Sequence, residues 1–109
     1  IILIDNYVDD TVLEQLAKRR KGVSATIFTK TISKRLALDV EKHNQQYPAI
    51  AIQPLAESHD RFLLIDDNVY HIGASLKDLG KKWFAFSKMD QAGLKVIDKI
   101  RSLWPAENN

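Results

Sequence analysis

The chain has 109 residues, 45% of them apolar and 28% charged, with a formal net charge of +2 and no cysteine. These values are ordinary for one folded domain with its own core. They exclude disulfides and thiol chemistry, and no aliphatic run approaches the roughly 20 residues of a membrane span. The small positive excess does not by itself indicate nucleic-acid binding. We expect a single domain over 1–109 of a cytoplasmic protein. Because the chain begins inside an apolar run without methionine, we also expect it to be excised from a longer protein.

The first half of the chain alternates between short aliphatic runs and amphipathic helical patterns. Helices are predicted where apolar residues recur three or four positions apart after a capping side chain. The elements in order are a strand at 1–4 ended by Asp5-Asn6-Tyr7, a helix capped by Asp9 or Asp10, a strand at 23–29, a helix capped by Thr31 or Ser33, and a strand at 49–53. This alternation predicts a parallel sheet with helices packed on it. His43, late in the second helix, is expected to be exposed and without a role.

The second half of the chain begins with a hairpin pattern. Residues 59–65 and 69–72 are strand-like and are separated only by Asp66-Asp67-Asn68, which is typical turn chemistry. A loop with one helical turn near Leu76 follows, and then a last strand at 83–86. The elements that end the chain are a capping box of Ser87 and Asp90 and a helix with the buried residues Val96, Ile97, Ile100, Leu103 and Trp104. The sequence therefore predicts an α/β domain with a mixed, mainly parallel β-sheet flanked by helices.

The residues most able to carry chemistry lie on and after the first hairpin strand. His59 and Arg61 are two positions apart, and alternate side chains of a strand share one face. A neutral imidazole could attack a phosphodiester to form a phosphohistidine, while the fixed guanidinium stabilises the nonbridging oxygens. Asp66 would face the other way and shape the hairpin or support a neighbour. Gly73 allows close approach of a ligand, and the Ser75 hydroxyl can donate to phosphate.

The spacing of these residues, His59-x-Arg61-x4-Asp66-x6-Gly73-Ala74-Ser75, resembles that of the phospholipase D superfamily. Members of that superfamily carry H-x-K-x4-D, followed after six residues by a Gly-Ser sequence and often an Asn. The order of strands and helices also resembles one half of such a catalytic unit over nearly the whole chain. Residues 71–89 further resemble C-terminal regions of phage-related, KilA-N-like DNA-binding proteins of bacteria, which implies that a DNA-reading domain has been removed.

The resemblance implies a metal-independent phosphodiesterase or nuclease without a cofactor, in which two motifs meet across a twofold axis. One histidine attacks phosphorus and the other protonates the leaving oxygen. Because this chain holds one motif, the resemblance implies a homodimer with His59 of each subunit in the two roles. The substrate would be nucleic acid or another phosphodiester. The implied catalytic residues are His59, Arg61, Asp66 and Ser75, and the implied phosphate-binding residues are Arg61, Gly73, Ser75 and Lys77.

Two departures from the superfamily pattern favour an alternative function. Arg61 stands where the superfamily has lysine, which preserves charge but changes reach and geometry. Lys77 and Asp78 occupy the region of the usual Asn. The alternative is a catalytically degenerate module that dimerises a phage-type DNA-binding regulator or binds a phosphate group or nucleic acid without turnover.

Several other residues have a structural explanation beside a functional one. His71 could join the site from the returning strand, but a lone histidine there is more often a structural group. The basic run 18–21 suits a helix C-terminus, where the macrodipole favours cations. Lys81 and Lys82 flank the motif loop and are candidates for phosphate contact. The aromatic run 83–86 is expected in the core rather than as a base-stacking surface, and the scattered histidines do not form a zinc pattern.

Overall fold

The computed structural model describes residues 1–56, 60–79, 85–89 and 91–103, with the backbone alone described at 91–94 and 103. Strands and helices alternate over the first half, as the sequence predicts. The elements are β1 (Ile2–Ile4), α1 (Asp10–Ala17), β2 (Ala25–Thr29), α2 (Lys34–Gln46), β3 (Ile50–Pro54), β4 (Arg61–Ile65), β5 (Asn68–Ile72), a 3-10 turn (Leu76–Asp78), β6 (Phe86–Met89) and α3 (Gln91–Leu103). Within these ranges no helix is both long and apolar enough to cross a bilayer.

The six strands form one mixed sheet in the order β3-β2-β1-β4-β5-β6. The β1–β2 and β2–β3 pairs are parallel, and the β1–β4, β4–β5 and β5–β6 pairs are antiparallel. The predicted α/β fold with a mixed sheet and flanking helices is therefore confirmed. The balance of pairings differs from the expectation of a mainly parallel sheet, because the hairpin joins β1 antiparallel and β6 extends it as a third antiparallel pair.

The two faces of the sheet are covered by different helices. On one face α1 and α2 pack against β1 and β2, and the fully buried Leu3 and Ile27 lie at the centre of this cluster. On the other face α3 packs through Ile100 against Phe28 and Leu64. Since side chains alternate along a strand, Arg61 and Leu63 share the face of α1 and α2, whereas Phe62 and Leu64 share the face of α3.

The predicted capping residues hold the first turns of α1 and α2. The Asp9 carboxylate accepts a hydrogen bond from the Thr11 backbone N–H at 3.0 Å, and the Ser33 hydroxyl oxygen accepts one from the Leu36 N–H at 3.1 Å. In the basic run after α1, the Arg19 guanidinium donates to the carbonyls of Leu16, Val23 and Pro48. Arg19 therefore ties the α1 terminus to the chain before β3, which agrees with a structural explanation for that charge.

The end of the chain departs from the prediction at β6. Ser87 lies within β6, paired with His71 of β5, so it does not cap α3 as predicted. The strand begins at Phe86 instead of ending there, because its register is set by pairing with β5, which the local pattern does not encode. Phe86 is 66% exposed, so the expectation of a core position is wrong for this residue. Trp83, Phe84, Asp90 and Trp104 lie outside the described residues, as does the Leu103 side chain.

His43 of α2 is buried, contrary to the prediction, with only 7% of its surface exposed. Its ring stacks on Tyr47 at 5.0 Å between centroids, and its Nε2 has no hydrogen-bond partner among the described residues. Burial lowers the pKa of His43 from its ordinary value, and the positive charge of Arg19 lowers it further, against a hydrogen bond to the Pro48 backbone. Helical periodicity does place His43 on the buried face of α2, at i+7 from Leu36 and three residues after Val40. The prediction was wrong because the polar character of histidine outweighed its spacing.

The buried His43 predicts a loss of stability in mild acid. In the unfolded chain the imidazole takes up a proton near its ordinary pKa of 6.5, whereas the folded chain resists protonation until a lower pH. The free energy of unfolding should therefore fall as the pH drops below that value and level off below the folded-state pKa. Urea unfolding at about pH 8 and about pH 5 measures the difference. His43→Phe should show a smaller decrease, and an equal decrease in both proteins would contradict the assignment.

Candidate functional site

An open groove lies where the C-terminal ends of β1 and β5 meet the start of β4. Antiparallel pairing of β1 with β4 places Ile4 opposite Phe62, so the residues that follow β1 lie beside the beginning of β4. The groove encloses about 380 Å³. Its lining residues are Tyr7, Arg61, Gly73, Ala74, Ser75, Lys77 and Asp78. Of the predicted site residues, four therefore line one groove, and they are Arg61, Gly73, Ser75 and Lys77.

Arg61 is the first residue of β4 and is held by the end of the neighbouring strand. It pairs with Ile72, and its Nη2 donates to the Gly73 carbonyl at 3.1 Å. The Nε is buried and has no acceptor among the described residues. A buried N–H of a charged group is costly when it stays unpaired. The guanidinium thus has a fixed position and donor capacity that the described part of the chain does not use.

Gly73 follows β5 and contacts both the backbone before β6 and the Arg61 side chain of β4. Its N–H donates to the Ala85 carbonyl at 2.7 Å, and its own carbonyl accepts from Arg61. A Cβ at this position would lie 3.2 Å from the Ala85 carbonyl oxygen, which is tighter than ordinary van der Waals contact. The glycine therefore permits the approach of the segment before β6. Its predicted contact with a ligand stays a prediction.

Asp5, predicted only to end the first strand, does not line the groove but connects two parts of its wall, Tyr7 and the start of the 3-10 turn. It is 1% exposed. One carboxylate oxygen accepts from the Tyr7 N–H at 2.9 Å, and the other accepts from the Ser75 hydroxyl at 2.8 Å and the Leu76 N–H at 2.9 Å. A charged residue directly after a buried strand was the available signal. Ser75 and Leu76 lie about 70 positions away from Asp5, so the sequence did not reveal these partners.

Ser75 is buried, and its hydroxyl points toward Asp5. In addition to the Asp5 carboxylate, the Tyr7 carbonyl lies within hydrogen-bond distance of the hydroxyl at 3.0 Å. The same oxygen accepts weakly from the Lys77 N–H at 3.4 Å. In this conformation the hydroxyl hydrogen is used inside the protein, where it fixes the 3-10 turn to the end of β1. Direct donation from Ser75 to a phosphate requires the hydroxyl to rotate away from Asp5.

Lys77 and Tyr7 form the outer wall of the groove. The Lys77 Nζ lies 5.6 Å from the centroid of the Tyr7 ring, within the range of a cation–π interaction. The ring restrains a side chain that would otherwise be free to rotate. As a result, the ammonium of Lys77 and the guanidinium of Arg61 line the same groove, with the Asp78 side chain as its acidic member.

Asp66 and His71 are not brought into this groove. Asp66 lies in the turn at the opposite end of β4, where it adopts a left-handed φ of 55°. Such a φ is tolerated by aspartate in tight turns, so its position agrees with the predicted role in shaping the hairpin. His71 pairs with Phe62, and their rings meet edge to face at 5.6 Å. It therefore lies on the face of α3, opposite Arg61, and 3.6 Å from the Asp60 carboxylate.

The predicted nucleophile His59 lies outside the described residues, as do Lys81 and Lys82. The predicted strand over 59–65 begins only at Arg61, with Asp60 in a bend before it. Strand alternation therefore does not carry the place of His59 beside Arg61, which stays a prediction. Among the ranges that the structure does describe, no three His, Asp or Glu side chains converge as ligands for a metal ion.

Comparison with family models, with curated proteins and with solved structures found no match for this chain. The resemblance to the phospholipase D superfamily therefore depends on the motif spacing and stays a prediction. The structure itself defines an α/β domain with a mixed sheet. Two cationic side chains line a groove at the end of β1 and the start of β4.

Proposed function

We propose that this domain is a metal-independent phosphodiesterase of the phospholipase D type, acting as a nuclease in a cytoplasmic homodimer. The observation that carries the proposal is the fixed Arg61 guanidinium, which opens with Lys77 onto a single groove. A phosphodiester carries one negative charge on two nonbridging oxygens. A planar guanidinium and a nearby ammonium are well suited to bind them.

His59 supplies the nucleophile in this proposal. Its neutral imidazole nitrogen attacks phosphorus, and the bond from phosphorus to the leaving oxygen breaks. The imidazolium of the second His59 gives its proton to that oxygen. Water then attacks the phosphorus of the phosphohistidine, the phosphorus–nitrogen bond breaks to release the neutral His59, and the proton of the water passes to the second imidazole. Both histidines are then in their starting states. Arg61 would stabilise the negative charge that builds on the nonbridging oxygens in both steps.

The second histidine requires a second copy of the chain, and an apolar surface beside the groove suits that contact. Three large apolar side chains are exposed along this surface, Leu79 and Phe86 toward the groove and Ile65 at the far end of β4. They line a depression on the sheet face that Arg61 shares. The surface adjoins the groove because Leu79 follows the 3-10 turn that carries Lys77. Contiguous apolar patches mark contacts with other proteins, and in a twofold dimer the same patch of both chains would form the contact.

Hydrolysis in the presence of a chelator tests the proposal. The purified chain with EDTA should cleave bis-p-nitrophenyl phosphate and single-stranded DNA, and His59→Ala should reduce both reactions to the uncatalysed level. Turnover per chain should rise with protein concentration as dimers form. Phe86→Lys, at an exposed position, should fold normally but sediment as a monomer without turnover. Wild-type protein that is dimeric yet indistinguishable from His59→Ala would overturn the proposal.

A second candidate function is a phosphate-binding or dimerising module of a phage-type regulator, without turnover. The hydrogen bonds of the Ser75 hydroxyl favour it, because they direct that hydroxyl to Asp5 and not into the groove. Arginine in place of the superfamily lysine favours it as well. Oligonucleotide binding by this chain that is lost in Arg61→Ala, without any cleavage, would support this alternative. Chelator-resistant cleavage that is lost in His59→Ala would exclude it.

A further inference from the structure

We propose that Tyr7 is a stacking platform for one base of a single-stranded nucleic acid whose phosphate binds between Arg61 and Lys77. This inference names the substrate class of the site and rests on the proposed function for the position of the phosphate. Tyr7 is 58% exposed at the rim of the groove. An exposed tyrosine beside two cations presents a flat apolar surface next to anion-binding groups, which is the combination that single-stranded nucleic acids recognise.

The backbone of Tyr7 is fixed although its ring is exposed. Its N–H donates to the buried Asp5 carboxylate at 2.9 Å, and its carbonyl lies 3.0 Å from the Ser75 hydroxyl. Only the two side-chain torsions remain to be ordered when a ligand binds. The conformational entropy lost on binding is therefore small, as it is for tyrosines in other recognition surfaces.

The described residues bring few charges to the groove. Arg61 and Lys77 are the cations among them, and Asp78 offsets part of their charge. Two phosphate contacts give a shallow dependence of affinity on salt, with a slope of about −1.4 on logarithmic axes for a single strand. An uncharged contact would add affinity and discrimination to these two, and the ring of Tyr7 is the aromatic group that the described part of the lining offers.

The geometry favours a single strand over a duplex or a lipid. Bases in a duplex are stacked on their neighbours and offer no free face at the edge of a groove. A lipid headgroup offers a phosphate but no flat ring. The groove is open to solvent and has a volume of about 380 Å³. Lys77 contacts the ring of Tyr7, so base and phosphate would be bound by side chains that already touch each other.

Binding of two matched oligonucleotides tests this inference. The probes are a fluorescently labelled thymidine oligonucleotide and an abasic oligonucleotide with the same number of phosphates, measured by anisotropy on the full chain carrying His59→Ala so that neither is cleaved. Tyr7→Ala should weaken thymidine oligonucleotide binding by about tenfold. It should weaken abasic binding much less, since abasic binding loses only the restraint of the ring on Lys77. Tyr7→Phe, which keeps the ring, should bind both as the parent does. Tyr47→Ala, at another exposed tyrosine remote from the groove, is the matched control and should leave both affinities unchanged.

Three results would overturn the inference: equal weakening of both oligonucleotides by Tyr7→Ala, no effect on either, or no binding of either by the parent. Failure of the proposed function gives a different result. A wild-type chain that binds through Tyr7 but hydrolyses no diester overturns the enzyme and leaves the stacking site in place. A wild-type chain that hydrolyses diesters, with Tyr7→Ala binding normally, overturns the stacking site alone.

Discussion

Replacement of Asp5 by alanine is expected to lower the free energy of unfolding by about 3 kcal/mol. The Asp5 carboxylate is the acceptor for the Tyr7 N–H, the Ser75 hydroxyl and the Leu76 N–H, and it lies in a buried position. Alanine removes all three hydrogen bonds and leaves buried donors without an acceptor, which costs more than the net value of the bonds themselves. Urea unfolding followed by circular dichroism measures the effect.

Asp5→Asn gives a sharper test of the same network. Asparagine has nearly the shape of aspartate but only one acceptor oxygen. In either orientation of its amide, one –NH₂ group must face a backbone N–H, that of Tyr7 or that of Leu76. We therefore expect a loss between those of alanine and wild type, in spite of the conserved volume. Asp98→Ala, at an exposed position of α3, is the control and should change the unfolding free energy by less than about 0.5 kcal/mol.

An equal and small effect of Asp5→Ala and Asp98→Ala would show that the network contributes nothing to stability. The network also links stability to the site, because it fixes Tyr7 and the 3-10 turn that carries Lys77. Asp5→Asn should accordingly weaken oligonucleotide binding under conditions where the protein is still fully folded. Preserved binding in the folded variant would separate the network from the groove.

The sequence predicted those parts of the fold that short-range patterns determine. The Asp9 and Ser33 caps act within three residues of themselves, and the aspartates between β4 and β5 define a local turn. The limits of such patterns appear where partners are distant in sequence. The register of β6 depends on β5, so it was not visible in the local pattern. The burial of His43 was within reach of that pattern, because His43 shares the buried face of α2 with Leu36 and Val40.

The part of the candidate site that lies within one short segment was also predictable from the sequence. The short spacing from Arg61 to Gly73 and Ser75 follows from one hairpin, and the structure does place these residues in one groove. Asp5 and Tyr7 were missed because they come from the other end of the chain and reach the groove only through the pairing of β1 with β4. The motif thus identified the strand that carries the site but not the loop that completes it.

Arg61→Ala is expected to reduce turnover of a phosphodiester by about 10²- to 10³-fold, the usual cost of removing one group that stabilises developing charge. Most of the loss should fall on kcat, because the nonbridging oxygens gain charge as the transition state forms. Steady-state hydrolysis of bis-p-nitrophenyl phosphate measures it. Arg35→Ala, which removes an exposed arginine of α2, is the matched control and should leave kcat and KM unchanged.

Arg61→Lys separates charge from shape at the same position. The ammonium keeps the positive charge, but a single nitrogen must serve both the Gly73 carbonyl and the phosphate, whereas the guanidinium has separate nitrogens for the two. If charge is what the reaction requires, turnover should stay within about tenfold of the wild type, since lysine provides most of the electrostatic stabilisation. A loss as large as that of alanine would mean that the fork of the arginine is essential to the reaction. Equal turnover in wild type, lysine and alanine variants would exclude Arg61 from the reaction.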